Sequence, residues 1–472
     1  MCDVVDRLTS LDASFLYLED AAMPMHVGSV MVFDPPKEGF DYENIIDLVS
    51  NRIAFVPRYR QRVQHTPGRI SNPVWVDDAD FDITYHVRRS ALPKPGSVAQ
   101  LEEFVGRIQA RALDRDRPLW ELYLVEGLER GRFAIVTKTH QALVDGVNAI
   151  DIGQVIVDPD AGREDQIPHT WRARPAPSGL ELIADGIWSM VRSPGRVIQD
   201  SVHTVSNMHT LTRRVAGSAT DLLGMLARTA ARPAPHSPLN TAIGGYRRYV
   251  MLESKLGDYQ KVRTRITKGN GNEHVTVHDV VLAAVTGGLR AWLMARGQAV
   301  DSGATIRAMV PVSTHSVGDD DEQDQVTACF VDLPVGEPNA RMRLHQIAYS
   351  MQQQVDSRTA VGARSLSSLS GFAPPTLHSL GARLGNAMSR RMFNLVITNV
   401  PGPQQALYAA DAEMVGSYPV IPLAKGQALA IGLTSYNGKV YFGLTADRDS
   451  MPDVEMLGQC IEEALAELVT ES

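Results

Sequence analysis

The chain has 472 residues, 44% apolar and 21% charged, and its 54 acidic residues outnumber 46 basic ones for a net charge of −8. That is the length and composition of a soluble globular protein with two or three domains, and the acidic balance argues against nucleic acid as the main partner. Cys2, Cys329 and Cys460 are too few and too scattered for a disulfide framework or a metal site, which suits a reducing cytoplasm.

Met1-Cys2-Asp3 leads into charged residues rather than an apolar run, so no signal peptide is read. Up to about residue 155, strand-like runs at 27–33, 122–125 and 133–139 alternate with helical stretches such as 101–112, and Leu92-Pro93-Lys94-Pro95-Gly96 marks a surface connection. A second zone, 156–243, opens on the polar run Asp158 to Asp165 and closes on Arg232-Pro233-Ala234-Pro235, a helix stop. Within it Leu180, Ile183, Ile187 and Met190 recur at helical spacing, and 171–240 holds eight Arg and no Lys against four acidic residues, about +4 in net charge. Basic amphipathic helices of this kind either lie on an anionic membrane surface or cross between domains with their apolar stripe on protein.

The third zone, 244–472, returns to α/β character. A helix is expected over 277–294, strands over 306–312, 326–333 and 393–398, a hairpin over 428–444 turning at Asn437-Gly438, and a closing helix over 454–469. The apolar stretch 280–293 carries Gly287, Gly288 and Arg290 and falls short of the ~18–20 clean residues of a membrane span.

The chemistry centres on His140-Gln141-Ala142-Leu143-Val144-Asp145-Gly146, directly after the strand at 133–139. A strand end can present an imidazole into a crevice, Asp145 can supply an ion pair, and Gly146 lets backbone approach closely. By itself, a His with Asp-Gly five and six residues later is a weak pattern, and a lone His at a strand end is usually structural. The stretch resembles the HHxxxDG signature of CoA-dependent acyltransferases.

Further blocks widen the resemblance. Leu8-Thr9-Ser10-Leu11-Asp12-Ala13-Ser14-Phe15-Leu16-Tyr17-Leu18-Glu19, Met25-His26-Val27-Gly28, Val56-Pro57-Arg58-Tyr59-Arg60, Pro73-Val74-Trp75-Val76-Asp77-Asp78 and Arg117-Pro118-Leu119-Trp120-Glu121 occur in this order. Val310-Pro311-Val312-Ser313, Thr398-Asn399-Val400-Pro401-Gly402-Pro403 and Ser435-Tyr436-Asn437-Gly438 follow in the C-terminal half. Together they resemble the bacterial wax ester synthase/diacylglycerol acyltransferase family over nearly the whole length.

That resemblance implies an α/β (α+β) fold of two chloramphenicol-acetyltransferase-like domains with a tunnel between them. The expected divisions are 1–155, carrying the motif, a helical Arg-rich linker at 156–243, and 244–472. Long-chain acyl-CoA is expected as co-substrate, with no other cofactor and no metal, and diacylglycerol or a long-chain alcohol as acceptor. The expected location is cytoplasmic, with the inner membrane or lipid bodies as a peripheral alternative. In the family the second His removes the acceptor's hydroxyl proton, while the Asp is mainly architectural.

Three positions depart from the family pattern. Gln141 stands where the basic His belongs, and an amide has no usable proton affinity near neutral pH. As neighbours on an extended segment, His140 and Gln141 should face opposite sides, so His140 is not a substitute. The C-terminal helix begins Val277-His278-Asp279-Val280, with His278 in place of the Asn of the family's Asn-Asp-Val; either Thr276 or Asp279 caps it and His278 is merely tolerated, or His278 supplies the missing imidazole. His278, Asp279, Ser313 and Asn399 are thus candidates for the tunnel lining. Finally, Asp319-Asp320-Asp321-Glu322-Gln323-Asp324-Gln325 stands where the family has a Gly-Asn; such a run is ordinarily a solvated loop, and near the CoA phosphates it would repel them and lower activity.

The sequence leaves three readings open: an acyltransferase with impaired turnover, a non-catalytic homologue that binds acyl-CoA or lipid or partners an active relative, and an engineered His-to-Gln substitution. The N-terminal block and the Ser-Tyr-Asn-Gly hairpin favour the storage-lipid branch over condensation or polyketide-associated acyltransferases.

Overall fold

A computed structural model of the chain describes residues 6–36, 41–69, 71–144, 152–160, 171–184, 233–269, 275–314, 325–356, 361–362 and 392–471. The first zone supplies strands β1 (His26–Phe33), β2 (Gln61–Gln64), β3 (Val74–Asp77), β4 (Val87–Ala91), β5 (Trp120–Glu126) and β6 (Phe133–His140). Its helices are α1 (Ser10–Leu18), α2 (Tyr42–Arg52), α3 (Ile83–His86), α4 (Val98–Gln109), α5 (Gln141–Val144) and α6 (Ile152–Ile156). The C-terminal zone adds strands β7 (Arg247–Lys255), β8 (Ile306–Thr314), β9 (Gln325–Leu333), β10 (Val361–Gly362), β11 (Leu395–Pro401), β12 (Tyr408–Ala409), β13 (Ala412–Val420), β14 (Leu429–Tyr436) and β15 (Lys439–Asp447). Its helices are α7 (Leu256–Gly269), α8 (Val277–Ala295), α9 (Ala340–Asp356) and α10 (Val454–Glu471).

Two mixed sheets organise these elements, in the orders β12-β13-β1-β6-β5-β4 and β10-β9-β8-β11-β14-β15-β7, with β2-β3 as a separate pair. The α/β expectation of two sheet-and-helix halves holds. The first sheet, however, takes β12 and β13 from the C-terminal zone: Gly28 to Phe33 of β1 pair antiparallel with Val420 to Met414. The division of the sheets therefore does not follow chain order.

β6 is buried on both faces: Phe133 to Val136 form an apolar run, and the polar Thr137 to His140 that follow are buried as well. Phe133 and Ile135 enter one core with Trp120 and Leu122, while Ala134 and Val136 enter another with Phe104, Val105 and Tyr249. In the second sheet Leu395, Ile397, Ile431 and Leu433 pack against Val281, Leu289 and Trp292 of α8 and Leu457 and Ile461 of α10. The helix α8 is long and apolar enough to cross a membrane by length and composition, yet 13 of its 19 residues are buried in this core.

α4 starts three residues before the sequence expectation. Ser97 and Gln100 form a capping box ahead of the apolar stripe, and a cap fixes a helix start more firmly than hydrophobic periodicity does. The 428–444 hairpin stands as expected, turning through Asn437 and Gly438 at φ 44° and 77°. In the second zone residues 171–184 lie on the first half, with Leu182 against Val74 and Val76 and Arg174 on Asp77. Leu180, expected in the apolar stripe, is 80% exposed, because the helix turns Leu182 to the β3 strand. Ile187, Met190 and the arginines of 192–232 lie outside the described residues.

Candidate active site

Four of the N-terminal blocks noted along the sequence, at 8–19, 25–28, 56–60 and 117–121, converge on the end of β6. Leu119 accepts the His140 N–H at 2.9 Å, and Trp120 pairs with Thr139 and donates its indole N–H to the Tyr59 carbonyl. His86 stacks on Trp120 with ring centroids 4.6 Å apart and directs its Nδ1 at the Trp120 carbonyl. The Pro118-Leu119-Trp120 segment thus fixes where β6 stops, and the Tyr59 turn fixes the tryptophan.

At that end His140 lies directly opposite His26 of β1, and both are buried. Between them reaches Glu19, one residue past α1. Its carboxylate lies 3.2 Å from His26 Nε2, 3.6 Å from His140 Nε2 and 2.5 Å from Arg115 Nη2, and it accepts the Met25 N–H at 3.2 Å. Burial raises the Glu19 carboxyl, but the contacts and charge of His140 and His26 outweigh it and hold it below the usual carboxylate range. His26 is pushed down to about 4 by burial, which the Glu19 contact only partly opposes.

His140 Nδ1 accepts the Ala142 N–H at 3.0 Å, so a neutral His140 carries its proton on Nε2, towards Glu19. Nδ1 is thereby committed to the turn after the strand, while the buried Nε2 faces the Glu19 carboxylate at 3.6 Å without a hydrogen bond among the described residues. The expectation of an extended His140-Gln141 pair needs correcting. Gln141 opens α5, so strand alternation stops at His140. The Gln141 N–H donates to the Met25 carbonyl at 2.9 Å, while its side-chain Oε1 is buried and has no hydrogen-bond partner among the described residues. Asp145 and Gly146 lie outside the described residues.

The C-terminal candidates form a separate group. Thr276 and Asp279 make a reciprocal capping box, which consumes the buried Asp279 carboxylate as the cap alternative required. His278 takes no part in that cap: its Nδ1 meets Asn399 Nδ2 at 2.9 Å while its Nε2 is buried without a partner among the described residues. Burial lowers the His278 pKa, with Asp279 opposing.

Asn399 is two residues from Ile397 and opposite Leu433, on the helix-covered face of the second sheet. The other face, where a Cβ on Gly432 would come within 2.9 Å of Pro419, is the one turned to the first sheet. His278 thus pairs with Asn399 on the helix-covered face of the second sheet. Ser313 lies in β8 opposite Val326. The acidic run from Asp319 to Asp324 lies outside the described residues.

Glu19, His26 and Arg115 were not singled out from the sequence. Glu19 and His26 stood within family-like blocks, but nothing in their spacing announces a shared partner, and Arg115 is 96 positions from Glu19.

Comparison with known proteins decides what this site descends from. The family model described as the wax ester synthase/diacylglycerol acyltransferase catalytic domain matches residues 8–281, and the WS/DGAT C-terminal domain matches 323–469. The chain belongs to the wax ester synthase/diacylglycerol acyltransferase family. Among curated relatives, the probable diacylglycerol O-acyltransferase tgs2 of Mycobacterium tuberculosis is 35% identical over 98% of this chain and 99% of its own. The probable diacylglycerol O-acyltransferase tgs3 of the same organism is 44% identical over 56% of this chain and 97% of its own. The solved wax ester synthase/diacylglycerol acyltransferase of Marinobacter aquaeolei VT8 superposes with a TM-score of 0.66 at 27% identity, covering 98% of both chains. The starter condensation domain of rhizomide synthetase, solved with C8-CoA and Leu-SNAC, shares the fold at a TM-score of 0.55 and 12% identity, covering 99% of this chain and 94% of its own. In this wax ester synthase/diacylglycerol acyltransferase homologue, Gln141 sits at the site that the fold and the family blocks build.

Proposed function

We propose that the chain is an acyl-CoA-dependent O-acyltransferase that moves a long-chain acyl group to diacylglycerol or a long-chain alcohol, and that Gln141 makes it slow. The family and the names of its relatives support the reaction class. The buried Gln141 Oε1, without a hydrogen-bond partner among the described residues, carries the reading of the site. Leaving such an oxygen unsatisfied costs roughly 1–3 kcal/mol, and an acceptor hydroxyl would satisfy it as donor.

The reaction then runs as follows. The hydroxyl oxygen attacks the thioester carbonyl, the new C–O bond forms as the C–S bond breaks, and CoA leaves as the thiol. The hydroxyl proton has to pass to the departing sulfur or to water, because an amide oxygen orients it without holding it. Acyl-CoA is the co-substrate and no resident cofactor is invoked. The water-insoluble acceptor puts the reaction at a membrane or lipid-body surface facing the cytoplasm. A second reading, an acyl-CoA or lipid binder without turnover, draws on the same amide.

The purified chain, supplied with a long-chain acyl-CoA and diacylglycerol or a fatty alcohol, is expected to form ester slowly, and Gln141→His to raise the rate by about 10²–10⁴-fold. Ester from the revertant alone would make the natural chain the binder. A revertant that binds acyl-CoA yet gains no rate would overturn the assignment of the site.

A further inference from the structure

The segment that brings Glu19 and Met25 to the site is a tight loop. Asp20 and Met23 exchange backbone hydrogen bonds, and Asp20 Oδ1 accepts the Ala22 N–H at 2.9 Å. The C-terminal half grips this loop at two points: Arg247 Nη2 donates to the Ala22 carbonyl, and Lys425 Nζ lies 3.7 Å from Asp20.

Arg247 is built into the seam between the halves. Its side chain is 4% exposed, its Nη1 donates to the Gly244 and Tyr246 carbonyls at 2.7 and 3.0 Å, and the buried Asp447 carboxylate lies 3.8 Å away. Asp447 in turn accepts the Gly244 N–H at 2.7 Å, so the guanidinium is held from several sides. On its backbone side α4 packs so closely that a Cβ on Gly106 would come within 2.8 Å of the Arg247 carbonyl oxygen. A buried guanidinium is tolerated only where its N–H groups find acceptors, and this one spends a donor across the seam.

We propose that Arg247 is a positioning residue for the Gln141 site. By holding Ala22 it fixes the Asp20–Met25 loop, and through that loop the Glu19 carboxylate beside His140 and the Met25 carbonyl that anchors the Gln141 N–H. Docking of the C-terminal half is thereby transmitted to the site. The kinetic consequence rests on the acyltransferase reading; the structural one does not.

Hydrogen exchange of the full-length chain tests the structural part. Arg247→Met, and Arg247→Lys should the first fold poorly, are expected to speed exchange in peptides covering 19–26 and 139–144 and to leave β15 and α10 unchanged. Arg248, next to Arg247 on β7, forms an exposed pair with Glu455 of α10, and Arg248→Ala is expected to leave both peptides as they are. In a Gln141→His background Arg247→Met should lower kcat by roughly tenfold or more with KM for acyl-CoA within about twofold, and Arg247→Lys should recover part of it. Unchanged exchange at 19–26, or a uniform rise across α4, β7, β15 and α10, would overturn the proposal. Absence of ester from every variant would sink the acyltransferase reading alone, with exchange still deciding the role of Arg247.

Discussion

Glu19 meets two imidazoles and a guanidinium with only 6% of its side chain exposed, and it also accepts a backbone N–H. Replacing it by alanine strands buried polar groups, which is far more damaging than losing a surface pair. Glu19→Ala is expected to destabilise the chain by about 3 kcal/mol, measured as a lowered midpoint in urea at constant m-value. A shift under about 0.5 kcal/mol, typical of a surface change, would show that the network does not hold the β1 and β6 ends together. At this scale the sequence displayed His140 and Gln141, because adjacent letters on a strand end form a local pattern. It did not display Glu19 as their neighbour, since that contact exists only once α1, β1 and β6 are assembled.

Among elements, the contact of α4 with β7 has its own chemistry. Glu102 on α4 accepts the Met251 N–H at 2.7 Å from the open edge of the second sheet, and burial, reinforced by Glu455, pushes its carboxyl up to about 7. A carboxyl raised above its unfolded value near 4.3 gives stability that is complete below that value and fades as pH rises through about 7. Glu102→Gln keeps an acceptor for the Met251 N–H without the charge. Its melting temperature should match that of the natural chain near pH 4 and exceed it at pH 8, by an amount worth at most about 3.5 kcal/mol. Equal melting curves at both pH values would refute the shift. Helix starts were legible where their caps are local, as with Thr276 and Asp279. The partner of α4 was not, because β7 follows it by some 140 residues and its edge position depends on β15.

At the scale of the molecule the two halves are laced by β13, which pairs with β1 in the first sheet while lying across β14 and β15 of the second. That approach needs a residue without a side chain: a Cβ on Gly443 would run into the Pro419 carbonyl oxygen. Gly443→Ala is therefore expected to cost more than about 3 kcal/mol or to yield insoluble protein, since the obstacle is backbone and cannot rotate away. A soluble Gly443→Ala chain of natural stability would mean that the halves dock otherwise. The sequence by itself determined the family and the α/β class, because each is written in ordered local blocks and apolar periodicity, and it displayed Gln141 beside His140. Only the tertiary structure decided that β13 crosses into the first sheet, that His278 pairs with Asn399 on the helix-covered face of the second, and that Arg247 reaches the loop behind Glu19. Those are contacts between distant segments, and strand pairing and burial, which no local pattern encodes, select them when the chain folds.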